Sequence, residues 1–389
     1  MEKSPFYRDT WVEINLDAIY DNLTRIKSII PKNVEIFAVV KANAYGHGSV
    51  QVANAALAAG ATRLAVAFLD EALVLRRAGI KSPILVLGPS RPADVNEAAE
   101  NDVTLTVFQK EWLEKAKKVW NSSCLFHFHL SFDSGMGRIG IREKDELKEF
   151  LKSLQDAPFF KLEGVYTHFS TADKVETAYF DKQYNMFLEQ ISWLKEFGLT
   201  PKLIHTANSA ATLRFQSVTF NAVRIGIAMY GLTPSIQIHP FLSIKLTPAL
   251  SWHTTVVHMK QVTKGAGISY SVTYQTKTEE WIATLPVGYA DGWLRRLQDF
   301  KVLVNGIRVP IVGRITMDML MIRVPYEVPL GTRVTLIGRQ NDEHISATEV
   351  AEYLETINYE IIATISFRVP RVYVKNGKIV EVVNYLNDI

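Results

Sequence analysis

Hydrophobic and polar positions follow one rhythm over the first part of the chain. From Trp11 to about Gly231, short apolar runs typical of buried strands alternate with stretches whose apolar residues recur every three or four positions, as in amphipathic helices. The strand candidates are TWVEINL, EIFAVVKA, RLAVAFL, PILVLG, TLTVF, CLFHFHL, LEGVYTHF, LIHTAN and AVRIGIAMYG. Eight or nine alternations predict a closed parallel (β/α)8 barrel, with an open doubly wound sheet as the alternative.

The pattern changes after the proline-punctuated segment LTPSIQIHPFLSIKLTPAL. Short strands then dominate, and Asn305-Gly306 and Asn376-Gly377 predict hairpins because Asn-Gly adopts the positive φ angles of a type I′ turn. One helix is indicated in ISATEVAEYLETI, where Ser346 and Glu349 have capping-box spacing. We therefore expect a TIM barrel over residues 1–245, holding the cofactor, followed by a mainly β C-terminal domain over residues 246–389.

Composition excludes several classes of protein. The chain has 389 residues, too many for one typical core, and its 43 Lys and Arg against 40 Asp and Glu are scattered, which argues against a nucleic-acid partner. The polar start MEKSPFYRDT and the lack of a long apolar run argue against a secretory signal and a membrane span, so we expect a cytoplasmic protein. Cys124 predicts a small buried hydrophobe and no internal disulfide.

Candidate reactive groups follow the predicted barrel strands, where barrel enzymes place their chemistry. Lys41 is the most informative, since a lysine that ends a buried strand must find a partner, shift its pKa or be modified covalently, for instance as a Schiff base. A side chain that reaches solvent is the alternative. The other groups are Asn43, Tyr45, His47, Asp133, Arg138, His168, Asn208, Ser209, Arg224, Gly226 and Ile227.

Hydroxyl and backbone N–H groups near the last strands indicate a phosphate site. Asn208, Ser209, Gly226 and Ile227 are the candidates for it, because barrel enzymes commonly bind phosphate there. The sequence has no Gly-rich Walker loop. A cofactor phosphate is therefore favoured over a nucleotide.

Motifs along the whole chain resemble the bacterial alanine racemases, which depend on pyridoxal 5′-phosphate (PLP). They are VVKANAYGHG, FDSGMGRIG, EGVYTHFSTAD, TANSAA, VRIGIAMYG, ISYSVTY, PVGYADGW, GRITMDM and INYE, in the family's order. The resemblance implies a barrel plus β domain, PLP, and interconversion of L- and D-alanine by two bases. It also implies a homodimer with an active site shared between subunits, and a supply of D-alanine for peptidoglycan.

The resemblance assigns the proton carriers and the cofactor's ring contacts. Lys41 matches the lysine that binds PLP and acts as one base, and Tyr270 matches the second base, contributed by the other subunit. Inversion requires a proton removed on one face and delivered on the other, which suits two groups. Arg224 matches the partner of the pyridine nitrogen, and His168 and His205 match a hydrogen-bonded chain that leads from it toward the tyrosine.

The remaining roles concern the phosphate, the substrate and the entrance. Tyr45 and Tyr359 match phosphate-binding hydroxyls, beside the candidates named above. Arg138 and the backbone N–H of Met317 match groups that hold the substrate carboxylate, and Tyr289 matches a tyrosine that narrows the entrance.

Ser131 departs from the family pattern. Many members carry a carboxylated lysine there, whose negative charge orients the arginine that Arg138 matches. A desolvated guanidinium without that anion would be costly, so we expect a bound anion such as chloride, or water, near Arg138. His127 and His129 suggest a metal only weakly, and we expect buried, hydrogen-bonded imidazoles and no metal site.

Three alternatives stay open on the sequence. A barrel-type amino-acid decarboxylase would typically donate an N-terminal strand to its β domain and place a glutamate against the pyridine nitrogen, whereas Arg224 and Tyr270 favour a racemase. A non-enzymatic PLP-binding barrel would lack the residues after the barrel. A racemase with broader specificity, including serine, is the third, since a small pocket rejects an added hydroxyl by only about a hundredfold.

Overall fold

The computed structural model describes residues 6–387, which divide into two compact units. The barrel unit comprises residues 18–44 and 49–247. The β unit comprises the residues up to 17, residues 45–48, and the residues from 248 on. The predicted barrel followed by a mainly β domain is confirmed. The expected boundary between residues 245 and 246 stays a prediction.

Parallel strands close the barrel in sequence order, and β9 pairs with β2 to complete the circle. Nearly all residues of these strands are buried. Their sequences are therefore continuous apolar runs rather than alternating apolar and polar positions. The barrel strands are β2 (Glu35–Val39), β3 (Arg63–Val66), β4 (Ile84–Val86), β5 (Val103–Val107), β6 (Phe126–Ser131), β7 (Phe160–Tyr166), β8 (Leu203–His205) and β9 (Ala222–Ile225).

Helices separate these strands and bury one apolar face each. In Lys144–Gln155, for example, Leu147 and Phe150 are buried three residues apart, while Lys148 and Glu149 between them are exposed. The helices up to the last barrel strand are α1 (Leu16–Ile29), α2 (Ser49–Ala58), α3 (Leu69–Arg77), α4 (Val95–Glu100), α5 (Lys110–Val119), α6 (Lys144–Gln155), α7 (Ala178–Glu196) and α8 (Ser209–Arg214).

The strand at the N-terminus does not belong to the barrel. β1 (Thr10–Asn15) pairs antiparallel with β10 (Leu250–Thr255) and parallel with β20 (Arg371–Lys375), so the inclusion of TWVEINL with the barrel strands was wrong. The reason is its period-two burial, in which Thr10, Val12 and Ile14 are buried while the intervening residues are partly exposed. Alternation is typical of a sheet with one covered face.

The β unit contains one large mixed sheet and two small sheets. The large sheet has the strand order β16-β15-β18-β10-β1-β20-β21, with β19 on β18; β11, β14 and β17 form the second sheet, and β12 and β13 the third. The remaining strands are β11 (His258–Val262), β12 (Gly267–Ile268), β13 (Tyr274–Gln275), β14 (Glu280–Leu285), β15 (Lys301–Val304), β16 (Ile307–Pro310), β17 (Leu320–Val324), β18 (Arg333–Gln340), β19 (Glu343–Ile345) and β21 (Lys378–Val383).

Both predicted Asn-Gly hairpins are confirmed. Asn305 and Gly306 join β15 to β16 with φ angles of 51° and 79°, and Asn376 and Gly377 join β20 to β21 with 50° and 70°. The predicted helix is α9 (Ala347–Tyr353), followed by α10 (Asn358–Ala363).

The capping box predicted for α9 forms only in part. Ser346 Oγ accepts the Glu349 N–H at 3.0 Å, but the Glu349 carboxylate pairs with Arg308 instead of returning to the cap. A guanidinium offers a charge-assisted hydrogen bond, which is stronger than the bond to a backbone N–H.

Two further expectations concern the burial of Cys124 and a membrane-spanning helix. Cys124 is exposed, so its prediction as a buried residue was wrong; β6 begins two residues later, at Phe126, and Cys124 lies in the preceding loop. Across residues 6–387, no helix combines the length and the apolar character needed to cross a bilayer.

Candidate active site

The chain makes a left-handed turn immediately after β2. Residues 42–45 all have φ angles between 50° and 53°, a conformation that costs non-glycine residues roughly 1–2 kcal/mol each. Glu71 Oε1 accepts the Ala42 N–H at 2.6 Å, and Asn43 Oδ1 accepts the Ser49 N–H at 2.9 Å. Such strain is typical of functional sites, and here it fixes where Lys41 leaves the strand.

Lys41 is half-buried, and its pKa is lowered, first by burial and then by the nearby charges of Arg138 and Arg224. Glu71 opposes that shift. A lowered pKa increases the fraction of neutral amine at pH 7, and the neutral amine is the nucleophile that attacks a carbonyl. The predicted reactive lysine is therefore placed where imine chemistry is favoured.

Arg224 is buried at the end of β9 and held by a dense set of acceptors. Its NH1 donates to His205 Nδ1 at 2.6 Å, and its NH2 lies 3.2 Å from His168 Nδ1 and donates to the Thr167 and Thr206 carbonyls at 2.8 Å and 3.0 Å. Burial lowers the pKa of Arg224 to about 10. The structure thus brings Arg224, His168 and His205 into contact, as predicted for a chain of hydrogen bonds.

The two imidazoles that contact Arg224 are neutral. Burial, then the charge of Arg224, lowers the pKa of both His168 and His205 well below the usual value. An arginine has only donors, so each Nδ1 accepts from it and each Nε2 carries the hydrogen. His168 therefore presents an N–H donor on its far side.

Ser209 and Gly226 meet where the phosphate site was predicted. Ser209 Oγ accepts the Gly226 N–H at 2.9 Å and the Ala228 N–H at 3.4 Å, which leaves the serine hydrogen free to donate. Asn208 caps α8 by accepting the Ala211 N–H at 3.0 Å, and Ile227 is buried beside this turn.

Arg138 lies in a glycine-rich loop after β6 that Asp133 organises. Asp133 Oδ1 accepts the Gly135 and Gly137 N–H groups at 2.9 Å and 3.0 Å. Arg138 itself is exposed in the single chain, and the expected anion or water beside it stays a prediction. Ser131 is buried, and within residues 6–387 no carboxylate forms an ion pair with Arg138.

In the β unit, Tyr45 and Tyr359 lie close together, with ring centroids 6.1 Å apart. Both are half-buried, and burial raises the pKa of Tyr45, which keeps its hydroxyl protonated. Gly46 permits this packing, because a Cβ there would lie 2.2 Å from the Ile362 carbonyl oxygen. His47 Nδ1 contacts the Tyr45 carbonyl at 3.1 Å.

Tyr270 stands on a strained turn. Ser269, Ser271 and Val272 around it have φ angles of 64°, 58° and 46°, and Ser269 Oγ fixes the turn by donating to the Arg314 carbonyl at 2.6 Å. The tyrosine ring is 69% exposed. The backbone is therefore held firmly while the side chain projects outward.

Met317 and Tyr289 belong to two turns that pack on each other. The Met317 carbonyl accepts the Ala290 N–H at 3.0 Å, and Gly288 has no room for a Cβ, which would lie 2.4 Å from the same carbonyl. In the described part of the chain the Met317 N–H has no acceptor, so it is free to bind a ligand. Met317 is 52% exposed and Tyr289 39%.

Sequence reasoning missed the charged residues inside the barrel. Arg63 and Glu163 lie on β3 and β7, and Arg63 NH1 donates to Glu163 Oε1 at 2.9 Å. His129 on β6 is buried and hydrogen-bonded to His205, as expected, whereas His127, which was also expected to be buried, is only half-buried. An acid in the middle of the apolar run LEGVY was the signal that could have revealed Glu163.

These groups fit PLP. The lysine amine can bind its aldehyde, and the free serine hydrogen suits a phosphate oxygen. Arg224 uses NH1 and NH2 for protein acceptors, whereas its Nε–H has none among residues 6–387 and can donate to a pyridine nitrogen. A (β/α)8 barrel with such a lysine and arginine, in a chain with a second β unit, defines a barrel-type PLP-dependent enzyme.

The comparisons narrow the class to one family. The profile described as "Alanine racemase, N-terminal domain" matches residues 14–234, and "Alanine racemase, C-terminal domain" matches residues 249–373. The chain belongs to the alanine racemase family. An alanine racemase from Geobacillus kaustophilus is 58% identical over 379 residues, covering 97% of this chain and 98% of that protein.

Solved structures agree. The alanine racemase from Bacillus anthracis, with bound L-Ala-P, has a TM-score of 0.98 at 75% identity and covers 99% of this chain and 100% of its own. A histidine racemase from Leuconostoc mesenteroides has a TM-score of 0.88 at 31% identity, covering 96% and 100%. The fold therefore serves more than one amino acid.

Proposed function

We propose that this PLP-dependent isomerase interconverts L- and D-alanine with Lys41 and Tyr270 as its two proton carriers. The observation that carries the proposal is the half-buried Lys41 at the end of β2, whose lowered pKa favours covalent attachment of the cofactor. Family membership over both units supports alanine as the substrate.

The cofactor's contacts follow from the donors described above. Lys41 would hold PLP covalently, the Arg224 Nε–H would face the pyridine nitrogen, and the phosphate would be held by Ser209, Gly226 and Ile227, with Asn208, Tyr45 and Tyr359 as further polar contacts. When bound, PLP withdraws electrons from the substrate's α-carbon and so acidifies its proton. Because Arg224 cannot readily give up a proton, the ring nitrogen stays unprotonated, which limits side reactions.

Racemisation needs a proton carrier on each face of the α-carbon. Lys41 serves one face as a neutral amine, and Tyr270 of the partner subunit serves the other. A tyrosine that accepts a proton must act as a phenolate, which a hydrogen-bond donor beside its oxygen stabilises. His168 supports this, because its Nδ1 accepts from Arg224 and its Nε2–H is left to donate to a phenolate oxygen.

Arg138 and the Met317 N–H would hold the substrate carboxylate, and Tyr289 would narrow the entrance. The missing negative charge at Ser131 would be supplied by a bound anion such as chloride, or replaced by water, next to Arg138. The absence of an ion-paired carboxylate at Arg138, within the range 6–387, supports this assignment.

A homodimer explains the exposure of the β unit's candidate residues. Tyr270, Met317 and Tyr289 are 69%, 52% and 39% exposed on the single chain, although each would have to contact substrate or line its path. Burial against a partner's barrel would resolve that. We place the enzyme in the cytoplasm, where it would provide D-alanine for peptidoglycan.

A decarboxylase is disfavoured, but on narrower grounds than the sequence suggested. The N-terminal strand β1 does join the β unit's sheet, so that feature no longer distinguishes the two classes. What remains is Arg224 where a decarboxylase would place a glutamate. The second unit also argues against a non-enzymatic PLP-binding barrel.

The direct test is a coupled assay for D-alanine formed from L-alanine by purified protein, with carbon dioxide release measured in parallel. We expect D-alanine without carbon dioxide, and borohydride reduction followed by peptide mapping should locate the modified lysine at 41. L-serine and L-histidine supplied separately would define the specificity. Carbon dioxide without D-alanine, or a modified lysine elsewhere, would overturn the proposal.

A further inference from the structure

A line of polar side chains crosses the interior of the barrel. It runs from Glu163 through His129 and His205 to Arg224, one residue each from β7, β6, β8 and β9. His129 Nδ1 lies 2.8 Å from His205 Nε2, and His129 Nε2 lies 3.4 Å from Glu163 Oε2. The last contact is a close approach of nitrogen and oxygen rather than a hydrogen bond, because His129 Nε2 has no hydrogen-bond partner among the described residues, and the Glu163 carboxylate is the acceptor that lies nearest to it in that line.

The donors of Arg224, at one end of the line, favour one direction for every hydrogen in it, and an acceptor is needed at the other end to receive the last of them. Arg224 can only donate, so His205 Nδ1 must accept, and a neutral His205 then carries its hydrogen on Nε2. That N–H points at His129 Nδ1, which must therefore accept as well. The hydrogen of His129 is left on Nε2, facing Glu163. A second hydrogen on either ring would set two donors against each other.

Glu163 is suited to end the line as an acceptor. Its other oxygen accepts from Arg63 NH1 at 2.9 Å, and Arg63 Nε in turn donates to Glu35 at 2.7 Å. Burial alone would raise the pKa of Glu163, yet the His129 and Arg63 contacts lower it to about 2. The carboxylate is therefore ionised and has no hydrogen to donate.

Packing prevents the imidazoles from turning over. His205 is stacked on Tyr166 with a centroid distance of 4.9 Å and an interplanar angle of 10°, and Phe37 lies 5.0 Å away. The ring of His129 occupies space that exists only because residue 164 is glycine, since a Cβ there would lie 2.6 Å from His129 Cε1. These contacts therefore fix the orientation of both imidazole rings.

We propose that Glu163 and His129 are positioning residues for Arg224, acting through His205. The ionised carboxylate and the donors of Arg224, at the two ends of the line, together hold both histidines as neutral Nε2–H tautomers, and this fixed direction aims the Arg224 guanidinium. Glu163 is then the remote counter-charge of a buried arginine whose other acceptors are neutral groups. The role of Arg224 toward the cofactor rests on the proposed function. The positions of the hydrogens on His129 and His205 do not depend on it.

The tautomers can be measured directly by two-dimensional ¹H–¹⁵N NMR on cofactor-bound protein labelled at its nine histidines. The ring nitrogens of a neutral imidazole have separate shifts, so Nε2–H, Nδ1–H and doubly protonated forms are distinguished. Single replacements assign the signals. We expect the Nε2–H pattern for both His129 and His205 in the wild-type protein.

Glu163→Gln tests the source of the direction, with Glu35→Gln as its matched control. Both replacements remove a carboxylate that contacts Arg63, but only Glu163 faces His129. Arg63 should take the oxygen of the new amide and leave its NH2 group toward His129, so the Nε2–H signal of His129 should be lost. Glu35→Gln should keep the wild-type pattern.

Two results would overturn the proposal. One is an Nδ1–H or doubly protonated form of His129 or His205 in the wild-type protein, which needs no variant and does not depend on activity. The other is a folded Glu163→Gln protein that retains the Nε2–H pattern of both rings. Normal tautomers in a protein that does not racemise alanine would sink the proposed function alone.

Discussion

The two units prepare their candidate residues in opposite ways. In the barrel unit, Arg224, His168 and His205 are tied into one hydrogen-bonded set, and burial shifts the pKa of each. In the β unit, Tyr270 and Met317 lie on hydrogen-bonded turns and are exposed to solvent. The barrel unit holds its candidate residues in one hydrogen-bonded set, whereas the β unit leaves its candidate residues exposed on the single chain, which is why we propose that a partner subunit covers them.

The largest effect should come from Lys41→Ala. Removal of the amine removes both the covalent anchor and one proton carrier, so activity should fall by at least about 10⁴-fold, and the bound cofactor's visible absorbance should be lost. Turnover of L-alanine and the absorption spectrum are the measurements. Lys161→Ala, at an exposed lysine on β7, is the control and should behave as wild type. Equal loss in both variants would contradict the role of Lys41.

Tyr270→Phe should lower kcat by about 10³-fold, the size expected for loss of a general acid–base group. Because the ring is 69% exposed, the melting temperature of the variant should stay within about 1 °C of wild type. Tyr326→Phe, at another exposed tyrosine of the β unit, provides the comparison. An active Tyr270→Phe protein would remove the tyrosine from the mechanism and weaken the contrast between the units.

The barrel's ion pair predicts an acid-sensitive stability. Glu163 has a pKa of about 2 when folded and about 4.3 when unfolded, so its stabilisation is present above pH 4.3 and lost as the pH falls toward 2. Glu163→Gln should lower the free energy of unfolding at pH 7 by about 1 to 3 kcal/mol, because Arg63 loses its buried partner, and should flatten the pH dependence below pH 4.5. Urea unfolding at several pH values measures both.

Glu35→Gln is the matched control for that experiment, since Glu35 binds the same arginine from a more exposed position. We expect a change below about 1 kcal/mol. If the two variants lose the same free energy and keep the same pH dependence, the special role of the buried carboxylate is refuted.

The smallest effect concerns the helix cap of α9 in the β unit. Ser346→Ala removes the acceptor of the Glu349 N–H and should cost about 1 kcal/mol, while Ser346→Asp should retain most of the stability. Activity should not change. Thermal unfolding of the two variants beside wild type is sufficient, and a neutral alanine variant would show that the Arg308–Glu349 pair alone holds this helix start.

Periodicity favoured the closed barrel over an open sheet, because eight or nine short apolar runs alternate with amphipathic helices and parallel strands are buried on both faces. The same rule misplaced TWVEIN. Its alternation was visible, but its partners β10 and β20 lie more than 230 residues away along the chain, and no local pattern encodes such pairing.

The candidate site was predictable as residue types at strand ends, but not as geometry. Sequence could indicate Lys41, and the family resemblance could assign Arg224 to the pyridine nitrogen. Neither the sequence nor the resemblance could reveal that four consecutive residues adopt the left-handed conformation, or that the Arg224 Nε–H has no acceptor among residues 6–387. The line from Glu163 to Arg224 depends on which strands are neighbours in a closed barrel, so it appears only in three dimensions.

The central claim, that a barrel site in one subunit is completed by Tyr270 of the partner subunit, is tested most directly by mixing Lys41→Ala and Tyr270→Phe proteins. A shared site gives each hybrid dimer one intact centre, so verified hybrids should regain about half of the wild-type activity per dimer. Mixing Lys41→Ala with the double variant should restore none. Hybrids that remain inactive would contradict the account, because they would place both proton carriers within one chain.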